Sequence, residues 1–311
     1  MRITTQKWVE SPGLSARQCG VNVFRVIGAL ALLCTSLQAA DEKSPWQGID
    51  RAKLLTPAKA ISPGEELLVG FLLSPTNGYH TYWRGPGIVG VATQLHWDLP
   101  EGFEAGKILW PPPVKTDMAG ITANGYKKEV ILLTKIQTPE KLEGETATLK
   151  VKAAWMACSK TCHPSIDNFS ITLPITTAPS SAKDLKLQAK FDEIIESLPQ
   201  APPEGWKFSI GAPAENHIFL EGTIQGLEED APESLLFFCD DMQVDSDSPA
   251  RFEWVDKAVG KFRLHFVRPE FAPSNPTNFS GILCHKDGWE KRSSSCIEIS
   301  VPWPLKDAQD E

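Results

Sequence analysis

Cys158 and Cys162 are the residues whose type and spacing best suit them to chemistry. They sit in the run Trp155-Met156-Ala157-Cys158-Ser159-Lys160-Thr161-Cys162-His163-Pro164. On a continuous strand, at about 3.3 Å per residue, their Cα atoms would stand roughly 13 Å apart. A disulfide needs Cα atoms within about 7 Å. A bond between them therefore requires the chain to turn, and Pro164 and the flanking strand patterns disfavour a helical turn. The expected picture is a tight loop closing where a strand ends. A bond across so short a loop is expected to be exposed and readily reduced. Lys160 and His163 are neighbours in sequence, and either can stabilise a thiolate.

Four chemistries compete for this pair. The first is thiol–disulfide exchange, which needs no cofactor and no metal. The second is a structural disulfide, the commonest use of cysteines in exported proteins. The third is covalent haem attachment, because Cys158-x-x-x-Cys162-His163 is a stretched C-x-x-C-H; no helix follows, and Pro164 stiffens the position beside the would-be axial ligand. The fourth is copper or zinc held by Met156, Cys158, Cys162 and His163, a soft ligand set. Exchange is the reading that the local residues favour. Elsewhere His80, His96, His217, His265 and His285 are scattered without ligand spacing. No G-x-S-x-G elbow, Walker loop or H-E-x-x-H is present.

The compartment follows from the N-terminus. Arg2, Lys7, Arg17 and Arg25 are opposed only by Glu10, Val26–Leu33 is a short apolar run, and Ala39 offers a small residue for cleavage. This reads as a secretory signal peptide over residues 1–39. The run is shorter than the 20 or so residues of a membrane span, and no later segment is apolar for long enough. Removing four basic residues and one acidic residue takes the formal net charge from −8 to −11. So acidic a chain is a poor partner for nucleic acid or anionic lipid. Five cysteines remain: Cys158, Cys162, Cys239, Cys284 and Cys296. Cys239, Cys284 and Cys296 are candidates for a structural disulfide, with one thiol left over. Asp287-Gly288 signals a hairpin. A two-residue turn there would set Cys284 opposite Lys291; Cys284 faces Cys296 only across a longer loop centred near Glu290, and pairing with Cys239 is equally open.

Short strands must position these residues. Leu67–Leu73 and Val130–Ile136 are apolar runs, and Thr93–Asp98 and Phe169–Leu173 alternate. In Ala147–Trp155, Leu149, Val151, Ala153 and Trp155 share one face, against Thr148, Lys150 and Lys152. Pro- and Gly-rich turns separate the runs, which argues for an antiparallel sandwich. One helix is expected within 179–205. Ser181 with Asp184 forms a capping box, Leu187, Phe191, Ile194, Ile195 and Leu198 line one face, and Pro199 ends it. Strand patterns resume from Trp206, at Ile218–Ile224, Leu235–Phe238, Phe262–Val267 and Ile297–Val301. The expected layout is mostly β: an immunoglobulin-like sandwich over 41–178, a linker with a helix over 179–205, and a second, smaller β domain over 206–311.

Several blocks are similar to the N-terminal periplasmic domain of the DsbD family of thiol:disulfide interchange proteins. They are Tyr79-His80-Thr81-Tyr82-Trp83-Arg84-Gly85-Pro86-Gly87, Trp97-Asp98-Leu99-Pro100-Glu101-Gly102-Phe103 with Trp110-Pro111, Gly125-Tyr126 with Glu129-Val130, and Cys158-Ser159-Lys160-Thr161-Cys162-His163-Pro164. The resemblance covers roughly 45–178 closely. It implies an immunoglobulin-like first domain, Cys158 and Cys162 as the exchanging cysteines, and a cap loop around Thr122–Lys127 with Tyr126 as a shielding aromatic. It also implies a periplasmic location and thioredoxin-like electron donors and acceptors, serving disulfide repair, cytochrome c maturation or copper tolerance. The sequence carries no thioredoxin motif, so a separate donor protein is expected, or else a module that only binds.

Overall fold

The computed structural model describes residues 44–176, 183–227, 231–289 and 293–304. The expected signal peptide and Ser181 lie outside them. No helix among the described residues is long and apolar enough to cross a membrane.

The first sandwich is built from β1 (Ile49–Leu55), β2 (Glu66–Pro75), β3 (Thr81–Tyr82), β4 (Gln94–Asp98), β5 (Glu104–Leu109), β6 (Val114–Met118), β7 (Ile121–Tyr126), β8 (Val130–Gln137), β9 (Thr146–Cys158) and β10 (Cys162–Pro174). One sheet has the order β1-β2-β8-β5, a second β10-β9-β4, and a small third sheet β3-β7-β6. The alternation along β9 sets the core: Leu149, Val151, Ala153 and Trp155 are buried, while Lys150 and Lys152 are exposed. Trp155 packs with Trp46, Phe71 and Phe169 between the two larger sheets. β2 and β8 are apolar on both faces because both are covered. Their outer residues Leu72, Ile131 and Leu133 pack under Phe191 of α1 (Leu185–Ser197). The cap of α1 is Asp184 itself, whose carboxylate accepts from the Lys186 and Leu187 amides, and not the expected pairing of Ser181 with Asp184. A carboxylate at this position meets the orphan amides directly.

The second sandwich follows with β11 (Lys207–Ala214), β12 (His217–Thr223), β13 (Leu235–Cys239), β14 (Arg251–Asp256), β15 (Lys261–Val267), β16 (Asn278–His285) and β17 (Cys296–Pro302). Its sheets are β11-β12-β15-β14 and β13-β16-β17, closing on a core that includes Ile218, Leu220, Phe262, Leu264, Phe279 and Ile297. The fold is therefore the expected mostly β one, an immunoglobulin-like sandwich, a helix and further β structure. Lys43–Glu311 form one compact unit. One core cluster crosses it, with Trp83, Tyr126 and Trp155 joined by Phe238, Ile282, Cys284 and Cys296.

Candidate redox site

β9 and β10 form one long hairpin whose last paired residues are Cys158 and Cys162. Ser159, Lys160 and Thr161 make the turn, closed by a hydrogen bond from the Ser159 amide to the Thr161 carbonyl (3.1 Å). The expected tight loop is thus a hairpin end. The two Cα atoms are 4.2 Å apart and the sulfurs are bonded. Cys158 is fully buried, whereas Cys162 is partly exposed.

Strand parity decides what surrounds the sulfurs. Successive side chains on a strand point to opposite faces. Trp155 and Ala157 face the sandwich core, so Met156, Cys158 and Cys162 lie on the outer face of the sheet. That face is covered by Tyr82, Val89, and Met118 and Ala123 of the β6–β7 hairpin, which pack with the pair in one cluster. The Tyr82 hydroxyl stands 3.9 Å from Cys162 Sγ and can donate to it. Burial pushes the Tyr82 phenol up to about 12, so the ring keeps its proton. Gly90, at φ +95°, lays its backbone on the Tyr82 ring, where a Cβ would stand within 2.1 Å of a ring carbon. Gly125 permits the close approach of β7 to β3, since a Cβ there would meet the Thr81 carbonyl oxygen at 2.0 Å.

His80 is joined to the pair through the backbone. Its amide donates to the Cys158 carbonyl (2.9 Å), and the Cys158 amide donates to the His80 carbonyl (3.0 Å). The imidazole is buried, meets Tyr82 edge-on at 5.0 Å, and has no protein partner at Nε2. Burial, then the nearby Lys127 charge, hold it below the usual histidine range.

The sequence neighbours of the pair fare differently. Lys160 is exposed at the turn. His163 is next to Cys162 in the chain and therefore projects from the opposite face. Its Nε2 is 3.0 Å from Thr161 Oγ1 and its ring lies against Tyr79. Met156, Cys158 and Cys162 share a face that His163 does not, so the four expected copper or zinc ligands do not converge. Among the described residues no group of three or more His, Cys, Asp or Glu could hold a metal. Tyr126, expected as the shielding aromatic, is opposite Thr81 in the β3–β7 ladder. It turns into the core, and its hydroxyl donates to the Pro111 carbonyl (2.7 Å). Tyr82, opposite Gly125, takes the place against the sulfur. Tyr82 and His80 lie within the Tyr79–Gly87 run, but two-residue β3 is too short to show its parity in the sequence.

The other cysteines resolve cleanly. Cys284 and Cys296 are directly paired across β16 and β17, with Cα atoms 4.0 Å apart and a disulfide between them. The longer loop is the one that forms, and Asp287-Gly288 only bends it. Cys239 is a buried free thiol. Burial beside Asp241 pushes it well above the usual thiol range.

The opposite face of the β6–β7 hairpin meets the second sandwich. The Thr122 amide donates to Asp247 Oδ1 (2.8 Å), and Ser246 Oγ donates to the Thr122 carbonyl (2.6 Å). Lys115 Nζ donates to Asn124 Oδ1 (3.0 Å) and lies 5.2 Å from the Phe238 ring centre. Beyond Tyr82, the Arg84 guanidinium donates to Asp240 (2.6 Å) and to both carboxylate oxygens of Glu298.

An immunoglobulin-like sandwich with a disulfide at a hairpin end, one sulfur buried and the other partly exposed beside a covering hairpin, has the geometry that thiol–disulfide exchange requires. Residues 51–191 match the family model described as thiol:disulfide interchange protein DsbD, N-terminal. Among solved structures, the N-terminal periplasmic domain of ScsB from Proteus mirabilis is similar in fold. The TM-score is 0.50 at 15% identity, covering 78% of this chain and 89% of that one. A putative membrane anchored protein from Corynebacterium diphtheriae aligns over 84% of this chain and 56% of that one at 9% identity, but its TM-score of 0.20 carries no weight for the fold. No curated protein sequence matches the chain.

Proposed function

We propose that the chain is a periplasmic thiol–disulfide exchange module that relays electrons between thioredoxin-like proteins. The family match over residues 51–191 supports the chemistry. The exported character of the N-terminal sequence and the periplasmic origin of the ScsB domain support the compartment. The observation that carries the reading is the unequal exposure of the two sulfurs at a hairpin end.

Cys162 is the partner-facing sulfur. A thiolate of a thioredoxin-like donor attacks Cys162 Sγ, the Cys158–Cys162 bond breaks, and Cys158 leaves as a thiolate that takes up a proton. The resulting mixed disulfide is resolved by the donor's second thiol, which leaves both cysteines reduced. Transfer to an acceptor runs the same steps in reverse, with the Cys162 thiolate attacking the acceptor's disulfide. Tyr82 donates to Cys162 Sγ whenever that sulfur carries charge.

The test is a trapping series in the mature chain. Cys158→Ala leaves Cys162 without a resolving thiol, and it should accumulate a mixed disulfide with a thioredoxin-like partner from the same envelope. The double variant Cys158→Ala/Cys162→Ala should trap nothing and remain folded, because so short a loop contributes modestly to stability. A double variant that unfolds, together with single variants that trap nothing, would show a structural bond.

A further inference from the structure

We infer that His80 is the proton acceptor for the Cys158 thiol, the group that prepares the buried cysteine to resolve a mixed disulfide. The inference rests on the exchange reading above and adds to it the base.

Cys158 is fully buried, so bulk water has no direct access to its thiol, whereas His80 keeps 3% exposure and can pass a proton outward. Yet the cysteine must become a thiolate to attack, since the thiol is not a nucleophile. His80 and Cys158 exchange both backbone hydrogen bonds. Residues so paired across antiparallel strands project to the same face, with Cβ atoms about 5 Å apart. Cys162 stands opposite Cys158 on the other side as a non-hydrogen-bonded pair, the Cα atoms 4.2 Å apart, and so shares that face. The row His80, Cys158, Cys162 is therefore one line of side chains under the β6–β7 hairpin, and Tyr82 lies two residues beyond His80 on that face. Each sulfur has a ring group of its own, the hydroxyl of Tyr82 for Cys162 and the imidazole of His80 for Cys158.

The unpartnered nitrogen points the same way. His80 Nε2 is buried with no protein partner while the cysteines are bonded to each other. A buried nitrogen left without a partner is unfavourable. The disulfide has no proton to offer, but reduction creates an S–H on Cys158 that can donate to this nitrogen. The charged groups that face His80 are Lys127, which disfavours a second positive charge, and Asp117 of β6, which favours it. The phenol of Tyr82 is neutral throughout. A neutral imidazole is the form able to accept a proton.

The step balances. In a mixed disulfide between Cys162 and an acceptor, the Cys158 thiol passes its proton to His80. The Cys158 thiolate attacks Cys162 Sγ, the Cys158–Cys162 bond forms, and the bond to the acceptor breaks, releasing the acceptor's thiolate. Cys158 and Cys162 are oxidised by two electrons and the acceptor is reduced by two. Solvent then takes the proton from the imidazolium, aided by the positive charge of Lys127.

The test needs no protein partner. The mature chain carrying Cys239→Ala, with Cys158 and Cys162 reduced, is mixed with the aromatic disulfide 5,5′-dithiobis(2-nitrobenzoate). Cys162 releases a first coloured thiolate and Cys158, on resolving, a second. With His80→Phe the first phase should be unchanged, while the second should slow by about 100-fold at pH 7, the order of a lost general base. The pH profile separates a base from a prop. In the parent the second phase should be level from pH 7 to 9. In the variant it should climb with pH towards the parent rate, because hydroxide then does the work. If His80→Phe fails to fold, His80→Gln carries the same expectation. A second phase with the parent's rate and profile overturns the role of His80 alone. A parent chain with no first phase overturns the exchange reading, and this inference with it.

Discussion

The Tyr82 hydroxyl stands 3.9 Å from Cys162 Sγ, while Tyr126, paired with Thr81 in the same ladder, turns into the core on the other face of that small sheet.

 Of the two tyrosines in the β3–β7 ladder, only Tyr82 faces the pair. A hydrogen bond to a charged group is worth about 1.5–3 kcal/mol, and one pKa unit corresponds to about 1.4 kcal/mol. Tyr82→Phe should therefore raise the Cys162 thiol pKa by about one unit in the reduced chain. The pH dependence of Cys162 alkylation by iodoacetamide measures it, and an unshifted profile would mean that the hydroxyl does not stabilise the thiolate.

Lys115 makes stability depend on pH. Burial pulls its amine from the usual 10.5 down to about 8. Between about pH 8 and 10.5 the unfolded chain holds a proton on this amine that the folded chain does not, so this group's contribution improves as pH rises. Below pH 8 its cost is fully present. Lys115→Met should therefore raise Tm at pH 7, and its advantage over the parent should shrink towards pH 10. Comparing the two chains at each pH cancels the opposite trends of the raised Tyr82 and Cys239 groups. An advantage that stays constant with pH would count against a buried amine.

Trp155 closes the apolar face of the strand that delivers Cys158, and its ring touches Trp46, Phe71 and Phe169. Trp155→Ala should cost about 3–5 kcal/mol, as large aromatic truncations in cores do. Denaturant unfolding of the oxidised chain measures the loss. A cost below about 1 kcal/mol would be incompatible with this packing.

Chain cleavage offers a test of the domain layout. We propose boundaries near 41–178 and 206–311, so limited proteolysis should cut between Ala178 and Gly205. The two fragments should nevertheless co-elute on size exclusion, because Trp83 and Phe238 meet in a shared core cluster. Fragments that separate freely in native buffer would show that this junction is weak.

The long strands and the hairpin-end disulfide were legible because they follow from periodicity and reach. The alternation in Ala147–Trp155 marks β9, and the distance argument for Cys158 and Cys162 demands a turn. Periodicity does not show the cap, although the family resemblance places it around Thr122–Lys127, which overlaps β7 and its Ala123. β3 has two residues, and β6 and β7 mix exposed Val114 and Asp117 with buried Thr116 and Asn124, so no alternation of apolar with polar residues survives. The first half of β10, Cys162–Asn168, is equally silent, since its outer face is polar or exposed and its inner face carries Ser165 and Asp167. Adjacency in sequence misled at His163, because neighbours on a strand are separated by the sheet itself. Asp184 and Ser181 are both good cap residues, so sequence pattern alone does not say which of them starts the helix, and Asp184 does.

Arg84 bears on modularity. Its guanidinium stacks over Trp83 at 4.7 Å and forks onto Asp240 and Glu298, carboxylates supplied by the second sandwich. A first sandwich cut out on its own would keep the cation and lose both anions, together with the cover over Trp83. It is therefore not a cassette that can be transplanted unchanged. Grafting it into another protein would call for a neutral residue at position 84 and a polar one at 83, and those changes begin one residue from Tyr82. The segment that carries Tyr82 and Arg84 and the acidic pair Asp240 and Glu298 of the second sandwich therefore have to travel together.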